Sequence, residues 1–220
     1  MNIFFDLDGT LTDPGIGITR SIQYALVSLG RPAPDLKLLR SCVGPPLRSS
    51  FAEWLETEDE PTLAEAIRLY RERYAPVGMF ENRVYEDVPA GLDSLQRDGH
   101  RLWVVTSKPH VFARQIVEHF GIAGHFERVY GSELTGENVD KGDLIRHVLE
   151  QEGLSLESIW MVGDRRHDIE GARRNGVDAI GVLWGYGSRE ELLAAEPQRV
   201  VATMAELCEA ISSKEEVQCA

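Results

Sequence analysis

The chain has 220 residues, 43% of them apolar, with 36 acidic against 23 basic side chains and a formal net charge of −13. That excess repels nucleic-acid phosphates, and no Lys or Arg run offers a local exception, so a nucleic-acid polymer is excluded as a partner. No stretch reaches the ~20 continuous apolar residues a membrane span requires, so a membrane partner is excluded too.

The first predicted element is the apolar run Asn2 to Phe5, which ends in Asp6-Leu7-Asp8-Gly9-Thr10. One intervening residue puts Asp6 and Asp8 on the same side of an extended chain. Residues 14–85 then carry helical patterns and no strand-like run. Ile18, Ile22, Ala25 and Leu29 share one face, Leu63, Ile67, Tyr70 and Tyr74 another, and five prolines separate the pieces. This segment is expected to be a small all-helical second domain. Within it, Gly44-Pro45-Pro46-Leu47 forms a rigid turn before Arg48, which either points a cation at a leaving group or stands exposed at a helix N-terminus.

From residue 86 onward helices and strands alternate. Helices are expected at Pro89 to Arg97, Val111 to Phe120, Lys141 to Glu152 and Asp168 to Asn175. Strands are expected at Leu102 to Val105, Arg128 to Tyr130, Ile159 to Val162, Ala179 to Leu183 and, more weakly, Val200 to Val201. Buried apolar runs alternating with amphipathic helices are the pattern of a parallel sheet covered on both faces. The expected fold is therefore α/β, a doubly wound parallel sheet built from residues 1–13 and 86–220 with strand one central. Residues 212–220 are expected to fray. Cys42, Cys208 and Cys219 are scattered, which fits a reducing compartment, and the expected location is the cytoplasm.

In an open parallel sheet the strand ends converge at one carboxyl edge, where ligands bind. The first strand delivers Asp6 and Asp8 there, the second Thr106 and Ser107, and the fourth Gly163-Asp164, with Asp168 one helical turn on. Lys141 stands at the start of the helix leading to the fourth strand, and Lys108 beside Pro109 competes with it. Carboxylates packed this closely repel unless a cation neutralises them. Magnesium, which takes a few oxygen ligands, suits Asp6, a backbone carbonyl near Asp8, and Asp164. With Thr106 and Lys141 added, the set can hold a tetrahedral oxyanion, the equipment of phosphoryl transfer.

DLDGTLTD, VVTSK, the lone Lys141 and VGDRRHDIEGA resemble the four ordered motifs of the haloacid dehalogenase superfamily, over nearly the whole chain. The helical segment resembles that superfamily's type-one cap, on a Rossmann-like core. VGPPLRSSF and VLWGYGSREEL look most like its phosphoglycolate phosphatase and 5′-nucleotidase branch. The resemblance implies Asp6 as nucleophile and Asp8 as acid and base. It implies Thr106 and Lys141 as phosphate ligands, with Ser107 a backbone-contact candidate. It also implies magnesium held among Asp6, Asp8 and Asp164, with Asp168 orienting a metal-bound water. Asp8 separates the chain from the dehalogenase branch, which lacks an acid there. Lys37, the only cap lysine, disfavours the phosphonate hydrolases. The implied reaction is hydrolysis of a small phosphorylated metabolite. A phosphomutase or phosphotransferase, and a non-catalytic binding protein on the same fold, remain as alternatives.

Overall fold

A computed structural model describes residues 1–218. The elements in chain order are β1 (Asn2–Phe5), α1 (Gly15–Ser28), α2 (Leu47–Leu55), α3 (Glu60–Tyr74), α4 (Val88–Arg97), β2 (Arg101–Pro109), α5 (His110–His119), β3 (Phe126–Ser132) and α6 (Lys141–Glu152). They continue with β4 (Ile159–Gly163), α7 (Arg166–Arg174), β5 (Asp178–Val182), α8 (Arg189–Ala194), β6 (Arg199–Val201) and α9 (Met204–Gln218).

All six strands pair in parallel in the order β3-β2-β1-β4-β5-β6. The expected doubly wound sheet with strand one inside it is therefore present. The winding direction reverses at β1, which pairs with β2 on one side and β4 on the other, and this is where the carboxyl ends open a crevice. Every residue of β4 is buried, as are the five consecutive residues from Leu102 to Thr106 in β2, so both faces of the sheet are covered. On one face Phe4, Trp103, Val105 and Met161 pack with Leu144, Ile145 and Val148 of α6 and Ile169 and Ala172 of α7. Phe4 meets the Trp103 ring edge-on, with centroids 6.5 Å apart. Elsewhere in the same unit α4 packs on α9, with Met204 over Gly91.

The chain divides into two compact units, residues 1–12 with 84–220 and residues 13–83. In the second, α1 packs on α3 and α2 on α3 around Ile18, Ile22, Phe51, Leu63, Ala66 and Tyr70, all buried. Tyr70 and Tyr74 stack with centroids 5.0 Å apart. Asp59 caps α3 by accepting the Thr62 N–H, at 3.0 Å. No strand occurs in this unit among the described residues.

Several boundaries differ from the sequence expectation. β2 runs four residues past Val105, because Thr106 still pairs with Gly131 and Pro109 with Ser132. α8 and α9 were not anticipated; α8 is only six residues long, and α9 buries Met204, Leu207, Ala210 and Ile211. α9 also continues through most of the segment expected to fray, and residues 219–220 lie outside the described residues. Among the described residues no helix is long and apolar enough to cross a membrane.

Candidate active site

β1 stops at Phe5, and Asp6 continues it by one bond, its N–H donating to the Val162 carbonyl at 2.9 Å. The chain then folds over itself. The Leu7 carbonyl accepts the N–H groups of Thr10, Leu11 and Thr12, while Leu7 itself is buried. The extended chain expected from Asp6 to Asp8 is thus interrupted by this turn, and the two acids engage different neighbours. Gly9 makes the turn possible: its φ is +87°, and a Cβ there would lie 2.2 Å from Asp164 Oδ2. Gly9→Ala is expected to cost about 1–3 kcal/mol through backbone strain and overpacking, read as a lower thermal midpoint.

Lys141 is the first residue of α6, set there by Asp140, whose carboxylate accepts the Asp143 N–H at 3.0 Å. Its side chain is 4% exposed, and the ammonium lies 2.8 Å from Asp6 Oδ1, 2.8 Å from Asp168 Oδ1 and 3.0 Å from the Val105 carbonyl. Burial opposes the charge on Lys141, but Asp168 and Asp6 outweigh it and hold the amine above the ordinary lysine value. Lys141 is therefore a cation at neutral pH, bridging two acids and the Val105 carbonyl of β2.

Asp164 follows β4 and is fully buried. Its Oδ2 accepts the Tyr186 N–H at 2.7 Å and its Oδ1 accepts the Thr10 hydroxyl at 3.4 Å. Burial, with Asp168 and Asp6 nearby, pushes its carboxyl well above the usual carboxylate range. Asp168, in the first turn of α7, accepts the Arg165 N–H through Oδ2 at 3.2 Å. Burial and the neighbouring Asp6 raise Asp168 to about 6 despite Lys141. Ligand oxygens of Asp6, Asp164 and Asp168 all lie within 4.8 Å of one another.

Asp8 stands outside that trio. The Lys108 ammonium donates to Asp8 Oδ2, and both side chains are nearly buried. Burial raises the Asp8 carboxyl above its ordinary value, Lys108 opposing. Lys108 and Lys141, competitors on sequence grounds, therefore serve different carboxylates, Lys108 that of Asp8 and Lys141 those of both Asp6 and Asp168.

Thr106 is buried at the end of the regular β2 pairing, its hydroxyl oxygen accepting the Lys108 N–H at 3.3 Å. Ser107 is half-buried, and its carbonyl accepts the Ser132 hydroxyl at 2.8 Å. Arg48 belongs to the 13–83 unit, where its half-exposed guanidinium, in the first turn of α2, is shared between Glu58 and Glu60. Arg165 pairs with Glu191 at 2.8 Å.

Sequence reasoning missed three contributors to this edge: the Thr10 hydroxyl, the Tyr186 N–H and the Trp184 indole, which donates to the Thr10 carbonyl at 2.9 Å. The Gly-rich stretch Trp184-Gly185-Tyr186-Gly187 was the available signal, since glycines allow close backbone approach to a ligand-bearing acid.

What stands at this edge is an ammonium between two carboxylates, a third acid beside them and a second lysine-acid pair, carried by the ends of β1, β2 and β4 and the first turns of α6 and α7. Such a set can hold a cation and a tetrahedral oxyanion together. A family described as haloacid dehalogenase-like hydrolase matches residues 3–182. The chain is 50% identical over 212 residues to a 5′-nucleotidase of Pseudomonas aeruginosa, covering 96% of each sequence. It is 39% identical over 212 residues to the tyrosine-protein kinase PtkA of Mycobacterium tuberculosis, covering 95% of this chain and 72% of that one. The crystal structure of a predicted phosphatase from Clostridium acetobutylicum superposes with a TM-score of 0.92 at 43% identity, covering 96% of this chain and 98% of that one. Phosphatase is the activity class that the family, the nucleotidase and the phosphatase structure support together with the acidic site, and the chain belongs to the haloacid dehalogenase-like hydrolase family.

Proposed function

We propose that the protein hydrolyses a small phosphate monoester, of the 5′-nucleotide or phosphoglycolate kind, with magnesium and through a phosphorylated Asp6. The observation that carries this reading is the Lys141 ammonium held 2.8 Å from both Asp6 and Asp168 beside buried Asp164. A nucleophilic carboxylate next to a fixed cation suits attack on an anionic phosphoryl group, because the cation offsets the charge that gathers on the phosphoryl oxygens. Identity of 50% to a 5′-nucleotidase supports the nucleotide member of the substrate class. The partner in this reading is a small free metabolite in the cytoplasm rather than a nucleic-acid polymer, which the chain's charge of −13 would repel along its whole length.

An Asp6 oxygen attacks phosphorus, the ester P–O bond breaks, and the leaving oxygen takes a proton from Asp8. Water then attacks the phosphorus of the aspartyl phosphate. Asp8 takes a proton from that water, Asp6 leaves as the carboxylate, and inorganic phosphate departs. Thr106 and Lys141 bind the phosphoryl oxygens meanwhile, with the Ser107 backbone beside them. Arg48 is the cap candidate for reading the leaving group.

The donor set fits magnesium: three acids offer oxygens within 4.8 Å of one another, and burial together with the charges of Asp168 and Asp6 raises the Asp164 carboxyl, a burden that a cation relieves. Asp6 and Asp164 would hold the ion with a carbonyl near Asp8. Asp168 has both oxygens engaged, with Lys141 and the Arg165 N–H, and acts as the supporting acid. When bound, the ion neutralises the carboxylates and stabilises charge developing on the phosphoryl oxygens.

The test is phosphate release from nucleoside 5′-monophosphates, phosphoglycolate and sugar phosphates, with magnesium and after chelation. Release from at least one class is expected, lost on chelation and restored by added magnesium, together with a higher thermal midpoint when the ion is present. An unchanged rate after chelation would refute the metal assignment. The kinase among the relatives favours one second reading, transfer of the same phosphoryl group to an acceptor hydroxyl. Phosphate freed with no acceptor present decides against it as the main activity.

A further inference from the structure

The end of β2 leaves the sheet in an irregular way. Thr106 pairs with Gly131 and Pro109 with Ser132, so Ser107 and Lys108 form a bulge opposite no partner. A Cβ on Gly131 would lie 2.4 Å from the Lys108 carbonyl and 2.7 Å from the His110 N, so only glycine lets the bulge cross there. The Ser132 hydroxyl ties the Ser107 carbonyl at 2.8 Å, and the Thr106 hydroxyl oxygen accepts the Lys108 N–H at 3.3 Å. These contacts turn Lys108 inward. Its side chain is 6% exposed and its ammonium donates to Asp8 Oδ2.

The other Asp8 oxygen is the complement. Oδ1 is buried, and among the described residues no group donates to it. A buried carboxylate oxygen left without a donor is costly and rare, which marks it as awaiting one. One oxygen is pinned and the other is kept open.

We propose that Lys108 is a positioning residue of the phosphatase reaction, pinning Asp8 Oδ2 so that Oδ1 is the atom that exchanges a proton with the leaving oxygen. The inference rests on Asp8 acting as acid and base. It assigns Lys108 no contact with the phosphoryl group; that part belongs to Lys141.

The role predicts dependence on the leaving group. A nucleoside 5′-monophosphate releases an alkoxide that needs a proton, whereas p-nitrophenyl phosphate releases a phenolate that does not. Lys108→Met is expected to lower kcat/KM on the nucleotide by about tenfold to a hundredfold and on p-nitrophenyl phosphate by only about threefold or less. Lys108→Arg, which keeps the charge, is expected to restore part of the loss, and Asp8→Asn to show the same selectivity more strongly. Lys108→Gln keeps a donor at the site and gives the same readout should the methionine variant not fold. Equal losses on both esters from the Lys108 variants, with Asp8→Asn still selective, would overturn the positioning role alone. An Asp8→Asn variant with no selectivity would overturn the reading of Asp8, and the inference with it.

Discussion

Asp6→Asn is expected to abolish phosphate release, with kcat lower by about three orders of magnitude or more, because the amide cannot form the covalent intermediate. The substitution keeps the size of the side chain and an oxygen able to accept from Lys141, now 2.8 Å away. It also removes a negative charge that pushes Asp164 and Asp168 upward. Loss of one ion pair and relief of two repulsions act in opposite directions, so the thermal midpoint is expected to move by only a few degrees. Activity and stability are therefore separated in a single variant. Rapid acid quenching of wild type with phosphorus-labelled substrate should trap label on the protein, and none on Asp6→Asn. A variant that keeps wild-type turnover would exclude Asp6 as the nucleophile.

The second large effect is on stability. Lys141→Met keeps the unbranched stem of the side chain, one atom shorter, and removes the charge that bridges Asp6 and Asp168, at 4% exposure. Breaking a buried pair by removing one partner leaves uncompensated charge, a loss of about 3–5 kcal/mol. The loss depends on pH. Asp168 sits at about 6 with the amine present and rises further without it. A carboxyl held above its unfolded value of about 3.9 binds more protons folded than unfolded, so stability falls as pH climbs from about 4 through the folded value. The deficit of Lys141→Met in urea denaturation of the metal-free protein is thus expected to be larger at pH 8 than at pH 5. The raised amine of Lys141 contributes below the ordinary lysine value, so its own contribution stays in place across that window. A deficit independent of pH would show that packing, not charge, is what Lys141 supplies. Turnover should fall by about a hundredfold as well, since a placed cation on the reacting group is gone.

Much of the molecule was legible in the chain. The alternation of apolar runs with helical periods announced a parallel sheet, and the order of strand-end residues announced one crowded edge. The boundary of α6 was readable to the residue, because Asp140 is a capping residue and Gly153 closes the helix with φ +59°. α8 and α9 were not anticipated: a six-residue helix offers too little periodicity, and α9 carries its helical period on Met204, Leu207 and Ile211 alone, ahead of a largely polar run of sequence. The extension of β2 was hidden for a related reason, since Ser107-Lys108-Pro109 reads as a turn and becomes strand only through its pairing with Gly131 and Ser132.

The identities of the acids, the hydroxyls and the amines, and the family they point to, were determined by the sequence by itself, because residue type and spacing are local properties. Which amine serves which acid was decided only by the tertiary structure. Lys141 reaches Asp6 from 135 positions away and Lys108 reaches Asp8 from 100. Both pairings depend on strand order: β2 and β4 flank β1, so the end of β2 and the start of α6 converge on the turn that follows Phe5. No pattern along the chain records which side of that turn each side chain will reach. Packing decides it, because a buried ammonium and a buried carboxylate are tolerated only where each finds the other.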